Sequence, residues 1–370
     1  MTSPTANPEN VVEDYRVLAL YQFVEIEDPV ALRDALSAEA ERLGIVGTLL
    51  LADEGLNGTV VGADDAIDAL LDWLAADGRF DRLTTNESRT GELPFRRLKV
   101  KLRKEIVSLG VPGIAPAQKT GTHVPPRHWN ALVDDPDVLL IDTRNDYEIE
   151  IGTFAGARSP HTTNFRDFPA WVAEHLDPRE TPRVAMFCTG GIRCEKATAF
   201  MLEQGFAEVY QLEGGILRYL AEVPEGASRW QGDCFVFDER VSVTHGLARG
   251  DYTQCHACRR PLSAEDMRDA RYVAGVACPR CHDETDSAQR RRFRERRRQV
   301  RLAQGRNAEH LGPAAARSVA DGANAPVAAD SRPDDSLVVD AASSGTPDVA
   351  APSTGAPSVD ASSASTRATK

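Results

Sequence analysis

The pattern of apolar and polar positions divides the first hundred residues into short strands and helices. Apolar, β-rich runs at 17–23 and 45–52 predict two buried strands. Between them, Asp28 precedes a stretch with helical spacing that ends at Gly44, as a helix commonly does. The remaining elements are a turn at 53–58, a short strand at 59–62, a helix at 64–77 and a strand of alternating basic and apolar residues at 95–104. The order β-α-β-β-α-β is typical of a ferredoxin-like α+β domain, which we place at 15–109.

A second series of alternating strands and helices follows a segment punctuated by proline and glycine. That punctuation predicts a linker at 110–127. Beyond it, apolar runs predict strands at 138–143, 183–187 and 208–215, and helical spacing predicts helices at 167–176 and 193–204. Such alternation predicts an α/β domain at 128–227, with a parallel sheet and helices on both faces. Reactive residues are expected where strand carboxyl ends meet helix amino ends.

The rest of the chain is predicted to contain a cysteine-rich unit, a helix and a tail. The cysteine-rich unit covers 228–285 and an Arg-rich helix covers 286–304. Residues 1–14 and 305–370 have too little apolar bulk to offset their ordering entropy, so we predict that they are disordered. No continuous apolar run is long enough to cross a membrane. The polar start lacks the features of a signal peptide, so we expect a cytoplasmic protein.

Charge and cysteine content narrow the function classes. The formal net charge of -13 argues against bulk attraction to nucleic acid. However, residues 290–301 read RRRFRERRRQVR, and local charge matters most because salt screens fields within about 10 Å. The seven cysteines are an odd number and cluster late in the chain, which favours catalysis or metal binding over disulfides.

The segment RVAMFCTGGIRCEKATAFM carries the clearest chemistry. Cys188 follows a strand, and Gly190 and Gly191 let successive backbone N–H groups form an anion-binding nest before a helix begins. Arg193 adds a permanent positive charge. These features favour the thiolate and predict a pKa of Cys188 below the ~8.5 of a free cysteine. The alternative is an inert core cysteine, which the glycine pair and the arginine disfavour.

The spacing Cys188-x4-Arg193 resembles the active-site loop of rhodanese-like sulfur carriers. Residues 139–157 and 209–216 resemble the neighbouring rhodanese segments, so the resemblance covers about 126–225. Rhodanese-type phosphatases have a loop one residue longer, because phosphate is larger than a sulfur atom. The resemblance therefore favours sulfur chemistry over phosphate chemistry.

Two motifs together, LADEGLNGTV and CTGGIRCEKA, resemble the bacterial tRNA uridine(34) hydroxylase family, over roughly 15–285. The resemblance implies oxygen-dependent formation of 5-hydroxyuridine at the wobble position of tRNA. It further implies molecular oxygen as co-substrate, an unidentified reductant and a persulfide-type role for Cys188. The residues show neither a clear iron-binding facial triad nor a GxGxxG cofactor loop. A sulfurtransferase using thiosulfate or a persulfide, and a non-enzymatic RNA-binding scaffold, therefore remain alternatives.

Three nearby residues are candidates for supporting roles. Cys194 lies six residues after Cys188 and could resolve an oxidised Cys188 as a disulfide, or merely pack the helix start. Asp142 and Arg144 could orient the reactive loop, or cap a turn and pair locally.

Two CxxC pairs separated by 19 residues predict a zinc ribbon. The predicted ligands are Cys255, Cys258, Cys278 and Cys281. Four protein ligands leave no open position, so the predicted role of zinc is structural. The alternative is four free or redox-active cysteines. The remaining Cys234 is predicted to pack in a core.

The predicted contacts with tRNA come from basic and aromatic side chains. The arginines of the predicted helix are Arg290, Arg291, Arg292, Arg294, Arg296, Arg297 and Arg298. A second basic group comprises Arg96, Arg97, Lys99, Lys101, Arg103 and Lys104. Either group could instead be a solvated face. Phe154, Phe165 and Trp171 are aromatic residues that could stack on a wobble base, but core packing is the role expected of each.

Overall fold

The computed structural model describes residues 14–304, and its first domain is a five-stranded sheet with two helices. The elements are β1 (Tyr15–Phe23), α1 (Pro29–Arg42), β2 (Val46–Ala52), β3 (Gly55–Gly62), α2 (Asp64–Ala76), β4 (Thr84–Thr90) and β5 (Leu98–Leu102). The strand order is β4-β1-β3-β2-β5. Only the β2–β5 pair is parallel. Apolar residues of both helices pack on one face of the sheet and form its core.

The predicted order β-α-β-β-α-β is confirmed, but its last strand was assigned to the wrong segment. The strand that pairs with β1 is β4, whereas the predicted strand at 95–104 forms β5, an added strand beside β2. The sequence of β4, TTNESRT, has no alternating apolar residues, because it is an edge strand with polar partners. The predicted turn at 53–58 is also too long, since β3 begins at Gly55.

The second domain is a four-stranded parallel sheet in the order β6-β10-β9-β7. Its elements are β6 (Thr122–Val124), α3 (Pro126–Val133), β7 (Leu139–Asp142), α4 (Asp146–Ile149), β8 (Gly152–Phe154), α5 (Phe168–His175), β9 (Arg183–Phe187), α6 (Ile192–Glu203), β10 (Glu208–Leu212) and α7 (Gly215–Glu222). Strand β6 lies inside the predicted linker, so the sheet begins earlier in the chain than the pattern of prolines indicated.

Strand β9 shows why this domain has helices on both faces. Val184 and Met186 point into a core that includes residues of α5 and α6. Ala185 and Phe187 point the other way, into a core that includes residues of α3 and α7. A strand buried on both faces reads as a continuous apolar run, which is what the sequence shows.

The predicted cysteine-rich unit is divided between two cores. Its first part contains β11 (Trp230–Gly232), β12 (Cys234–Phe235) and β13 (Ser242–Val243), and it packs into the second domain. Cys234 is buried there as predicted, and burial raises the pKa of its thiol to about 12. The later part has its own small core around β14 (Thr253–Gln254) and β15 (Pro261–Leu262), and α8 (Ser287–Gln304) follows it.

Two further predictions concern membranes and disorder. Among the described residues, no helix is both long and apolar enough to cross a membrane. The predicted disordered segments at 1–14 and 305–370 lie outside the described residues, apart from Asp14.

Candidate active site

The reactive loop lies between β9 and α6, where the sequence predicted it. Cys188 directly follows β9, and Gly191 precedes α6 with a φ of 100°, a backbone conformation that favours glycine. The N–H of Gly191 donates to the Cys188 sulfur at 3.2 Å. A Cβ on Gly215 would lie 2.6 Å from both the Cys188 carbonyl oxygen and the Gly191 nitrogen, so only glycine fits against the loop there. The backbone therefore holds a donor on the sulfur.

The surroundings of Cys188 favour its thiolate. Cys188 is only 1 % exposed, and burial alone would raise its pKa. A hydrogen bond from the Cys194 thiol, the charge of Arg193 and backbone N–H groups at the start of α6 outweigh burial and lower the pKa of Cys188 to about 6. Cys188 is therefore mostly ionised at neutral pH, although it is enclosed.

We expect the alkylation of Cys188 by iodoacetamide to rise with a midpoint near pH 6. Only the thiolate is the nucleophile, so the rate follows the fraction ionised. Peptide mass spectrometry after short pulses across a pH series would separate Cys188 from the other cysteines. Cys234 is an internal control, since its raised pKa should keep its alkylation slow until strongly alkaline pH. A Cys188 midpoint at the ~8.5 of a free cysteine would contradict this account.

Arg193 is fixed by a buried carboxylate that the sequence did not indicate. Both guanidinium ends donate to Glu148 of α4, each at 2.7 Å. Glu148 is fully buried, and its carboxylate also accepts from the backbone N–H of Asn145. Burial opposes ionisation of Glu148, but the charge and hydrogen bonds of Arg193 outweigh it and lower the pKa of Glu148. The pair fixes the position of the Arg193 guanidinium, and the Glu148 carboxylate compensates its positive charge.

Asp142 and Arg144 pair with each other deep in the second domain. Two nitrogens of Arg144 donate to Asp142, at 2.9 and 2.7 Å, and a third contact reaches the Gly152 carbonyl at 2.6 Å. The guanidinium also lies 5.1 Å from the ring centre of Trp230. Both side chains are fully buried. Asp142 and Arg144 therefore pair locally, which was one of the two roles that the sequence left open for them.

Cys194 lies at the first turn of α6 as a protonated thiol. It is fully buried, and burial together with its hydrogen bond to Cys188 raises its pKa well above the ordinary value. Its sulfur also lies 3.7 Å from the hydroxyl oxygen of Thr143. In this pair, Cys194 acts as the hydrogen-bond donor and the Cys188 thiolate as the acceptor.

The first domain reaches the reactive loop through Tyr21 of β1. The Tyr21 hydroxyl donates to Glu195 at 2.9 Å. The hydroxyl oxygen of Tyr21 would also lie 2.9 Å from a Cβ on Gly191, so it packs against the reactive loop. Glu195 also accepts from Gln211 and lies 2.9 Å from a ring nitrogen of His123. Sequence reasoning missed this network, because its members are far apart along the chain and only spatial contact groups them.

The two motifs that carried the family resemblance meet in space. Lys196 of α6 has a side chain only 3 % exposed, and its Nζ lies 2.7 Å from Glu54 and 2.6 Å from Glu105. Glu54 belongs to LADEGLNGTV, and Lys196 belongs to CTGGIRCEKA. An ion cluster with a buried lysine and two partly exposed glutamates therefore connects the first domain to the helix that follows the reactive loop.

The four predicted metal ligands come together in the later cysteine-rich part. The sulfur atoms of Cys255, Cys258, Cys278 and Cys281 lie within 4.8 Å of one another. Neighbouring sulfur atoms are 3.6 to 4.0 Å apart. A tetrahedral zinc site with Zn–S bonds of ~2.3 Å separates its sulfur atoms by about 3.8 Å. The cluster therefore has the donors and the size that zinc requires.

The predicted Arg-rich helix is α8, and its arginines have two kinds of surroundings. Arg290 and Arg296 donate to the carbonyls of His282 and His256, which hold the helix on the cysteine cluster. Arg297 packs against Gly275. The exposed members are Arg291, Arg292, Arg294 and Arg298. A surface groove beside them is lined by five arginines, one glutamate and two valines: Arg291, Arg294, Arg297, Arg298, Arg301, Glu295, Val273 and Val276.

Core packing, the role expected of the three aromatic candidates for base stacking, is confirmed. Phe154, Phe165 and Trp171 are all buried in the two cores of the second domain. The three side chains are therefore core residues and not a surface for stacking a base. In the second basic group, Arg96 is paired with Glu239 at 2.8 Å.

Comparisons with known proteins agree with both domains. Residues 15–106 match the model of the UPF0176 acylphosphatase like domain, and residues 126–222 match that of the rhodanese-like domain. A tRNA uridine(34) hydroxylase of Agrobacterium fabrum is 53% identical over 313 residues, which cover 84% of this chain and 100% of that protein. One from Teredinibacter turnerae is 56% identical over 301 residues, covering 81% of this chain and 94% of that protein. The chain therefore belongs to the tRNA uridine(34) hydroxylase family.

Proposed function

We propose that this protein hydroxylates uridine 34 of tRNA at C5, with Cys188 as the reactive residue. The observation that carries the proposal is a low-pKa cysteine in a domain shared with close relatives named for this reaction. In the balanced reaction, one atom of molecular oxygen replaces hydrogen at C5 as a hydroxyl group, and the other leaves as water. A reductant supplies two electrons and two protons. We place the reaction in the cytoplasm.

The chain's own residues would keep an anionic sulfur ready at neutral pH. The Gly191 N–H, the Cys194 thiol and the Arg193 charge all stabilise negative charge on the Cys188 sulfur. The same donors would hold the terminal sulfur of a persulfide, formed when Cys188 accepts a sulfane sulfur from a persulfide donor. Tyr21 and Gly215 would keep the loop in the donating conformation, because each packs directly on Gly191.

The proposal is tested by incubating unmodified tRNA with the protein and a reductant, in air and without oxygen. Digestion to nucleosides and mass spectrometry would identify the product. We expect 5-hydroxyuridine at position 34 in air and none without oxygen. Product formation that is equal under both conditions would refute oxygen-dependent hydroxylation.

Sulfur transfer is the second candidate, favoured by the four-residue spacing between Cys188 and Arg193. A persulfide on Cys188 would pass its outer sulfur to an acceptor thiolate, which becomes a persulfide while the Cys188 thiolate is regenerated. With an RNA acceptor, sulfur would replace a carbonyl oxygen that leaves as water, and a thiol reductant would supply the two electrons that regenerate the Cys188 thiolate. The same nucleoside analysis separates the two functions, because a thiolated nucleoside gains sulfur in place of oxygen. Cyanide trapping of sulfur from thiosulfate as thiocyanate would detect transfer to a small acceptor.

We propose that Cys194 resolves an oxidised Cys188. Its thiol is a hydrogen-bond partner of the Cys188 sulfur, so once Cys188 becomes a sulfenic acid the Cys194 thiol could attack it, forming a disulfide and releasing water. Peptide mapping after hydrogen peroxide treatment should find the Cys188–Cys194 disulfide. In Cys194→Ala, Cys188 should instead proceed to the sulfinic acid. Equal overoxidation in both proteins would show that Cys194 only packs the helix.

We propose that the exposed arginines of α8 bind tRNA phosphates. Replacing Arg291, Arg294 and Arg298 with glutamine is expected to weaken tRNA binding and flatten its salt dependence, since each lost phosphate contact lowers the slope of log affinity against log salt by about 0.7–0.9. Fluorescence anisotropy with labelled tRNA would measure both. The matched control replaces three exposed arginines on other elements, Arg82, Arg127 and Arg179. An unchanged salt slope in the α8 variant would exclude this helix.

We propose that the cysteine cluster holds one structural zinc ion. Four thiolates bound to one ion would stabilise the later cysteine-rich part, whose own apolar core is small. Elemental analysis should find one zinc ion per chain, lost in Cys258→Ser and kept in Cys234→Ala. Because α8 is held by carbonyls of this unit, zinc removal should also speed hydrogen exchange in α8. Unchanged exchange in α8 after complete zinc removal would contradict that coupling.

A further inference from the structure

The polar edge strand β4 lies against the second domain next to the reactive loop. Its alternate residues share one face, as in any strand. On that face, Thr84 lies directly opposite Tyr21 of β1, and Ser88 accepts from Arg240 at 2.7 Å. Asn86 lies between them, and its Nδ2 is 3.9 Å from the position of a Cβ on Gly190. The strand is therefore polar because this face contacts the loops of the second domain.

Asn86 is the unassigned member of that face. Its amide has no hydrogen-bond partner within residues 14–304, although the side chain is half-buried. Apart from Asn86, no described atom outside the loop lies within 4 Å of a Cβ on Gly190. An amide offers one acceptor and two donors, and half-buried groups of this kind usually find partners. Asn86 therefore presents free donors and an acceptor at the open side of the reactive loop.

Phe237 lies next to Arg193, the arginine of the reactive loop, and three residues before Arg240, which contacts Ser88 of β4. Its side chain is 48 % exposed, and the Arg193 guanidinium lies 5.9 Å from its ring centre. Phe235 supports the ring edge-on from behind, at 5.1 Å between centres. Among the described residues, the other large exposed apolar side chains are aliphatic. Asp238 and Arg240 pair at 2.7 Å directly after Phe237.

The charges around this opening are already compensated. Arg193 is paired with Glu148, and Arg240 with Asp238. Anionic phosphate is therefore weakly attracted here, and the groups left available are a neutral amide and an aromatic face. That combination suits a neutral planar base, because every base has a face that can stack and an edge that can hydrogen-bond.

We infer that Phe237 and Asn86 form the site that holds the target uracil beside Cys188. The base, turned out of the anticodon loop, stacks on Phe237. The amide of Asn86 accepts from the uracil N3–H and donates to an adjacent carbonyl oxygen. This inference rests on the proposed function and deepens it, since it assigns the recognition of the base to residues from two domains.

The stacking role is tested by equilibrium binding, which does not depend on turnover. The probes are labelled anticodon stem-loops with either uridine or an abasic residue at position 34. In the wild type and in Phe237→Tyr, we expect the abasic probe to bind about tenfold to a hundredfold more weakly, the range for one base–aromatic stack. Phe237→Ala should distinguish the two probes much less than the wild type does, because only the hydrogen bonds of Asn86 to the base remain. Val30→Ala, which truncates an exposed apolar residue of α1, should behave as the wild type.

The edge-reading role is tested with a stem-loop that carries 3-methyluridine, which lacks the N3–H. The wild type should bind it about tenfold more weakly than uridine, and Asn86→Ala should not distinguish the two. A purely structural role of Asn86 would instead shift the pH midpoint of Cys188 alkylation, which we expect to stay unchanged. Discrimination that persists undiminished in Phe237→Ala and Asn86→Ala would overturn the inference. If the discrimination holds while no 5-hydroxyuridine forms, the proposed reaction fails and the base site stands.

Discussion

Replacing Glu148 with glutamine is expected to lower the free energy of unfolding by about 3–5 kcal/mol. The glutamine would leave the charge of Arg193 buried without its partner, because that guanidinium directs both its ends to Glu148. Chemical denaturation of the wild type and the variant would measure the difference. Glu203→Gln on the exposed end of α6 is the matched control, and we expect it to change stability by less than about 0.5 kcal/mol.

A double-mutant cycle separates the ion pair from other effects of the substitution. Once Glu148 is glutamine, changing Arg193 to methionine should cost little more and could recover stability, since it removes the unpaired charge. If the two single variants each lose several kcal/mol and the double variant loses their sum, the pair is not the source of the effect.

The same pair predicts a pH dependence. The folded-state pKa of Glu148 lies below its unfolded value of ~4.3, so its contribution to stability is fully present above that pH. It is lost as the pH falls through the lower folded-state pKa. Unfolding of Glu148→Gln should therefore depend less steeply on pH in the acid range than unfolding of the wild type.

Replacing Lys196 with methionine is expected to lower the free energy of unfolding by about 1–3 kcal/mol, less than breaking a fully buried pair, because Glu54 and Glu105 are partly exposed to solvent. The loss leaves Glu54 and Glu105 next to each other without the cation between them. Because this cluster joins the first domain to α6, we also expect faster hydrogen exchange in β4. Lys119→Met, at an exposed lysine before β6, is the control. Unaltered exchange in β4 would show that the cluster does not fix the two domains together.

Local sequence was sufficient for the reactive loop and for the cysteine cluster. Cys188, Gly191 and Arg193 are near neighbours in the chain, so their strand–loop–helix setting follows from a few consecutive residues. The CxxC pairs likewise bring their ligands together through short turns, and only one long connection has to close. The residues that support the reactive loop could not be predicted from local sequence. Glu148 lies 45 residues before Arg193, and Tyr21 lies 174 residues before Glu195, so only the tertiary fold reveals these contacts.

Apolar pattern also failed where polar contacts determine the structure. Strand β4 has no apolar alternation because one face contacts the second domain through Asn86 and Ser88. For α8, the sequence indicated a positively charged helix but not which of its arginines face the protein and which face solvent. Docking on two carbonyls decides that Arg290 and Arg296 face the cysteine-rich part.

The central claim, that Cys188 is the centre of an oxygen-dependent uridine hydroxylation, is tested most directly with isotopically labelled oxygen. Unmodified tRNA would be incubated under ¹⁸O₂ with a reductant and either the wild type or Cys188→Ser, and its nucleosides would be weighed by mass spectrometry. The account predicts 5-hydroxyuridine at position 34 that carries one ¹⁸O atom with the wild type, and unmodified uridine with the variant. A product labelled from water, or equal product from Cys188→Ser, would contradict it.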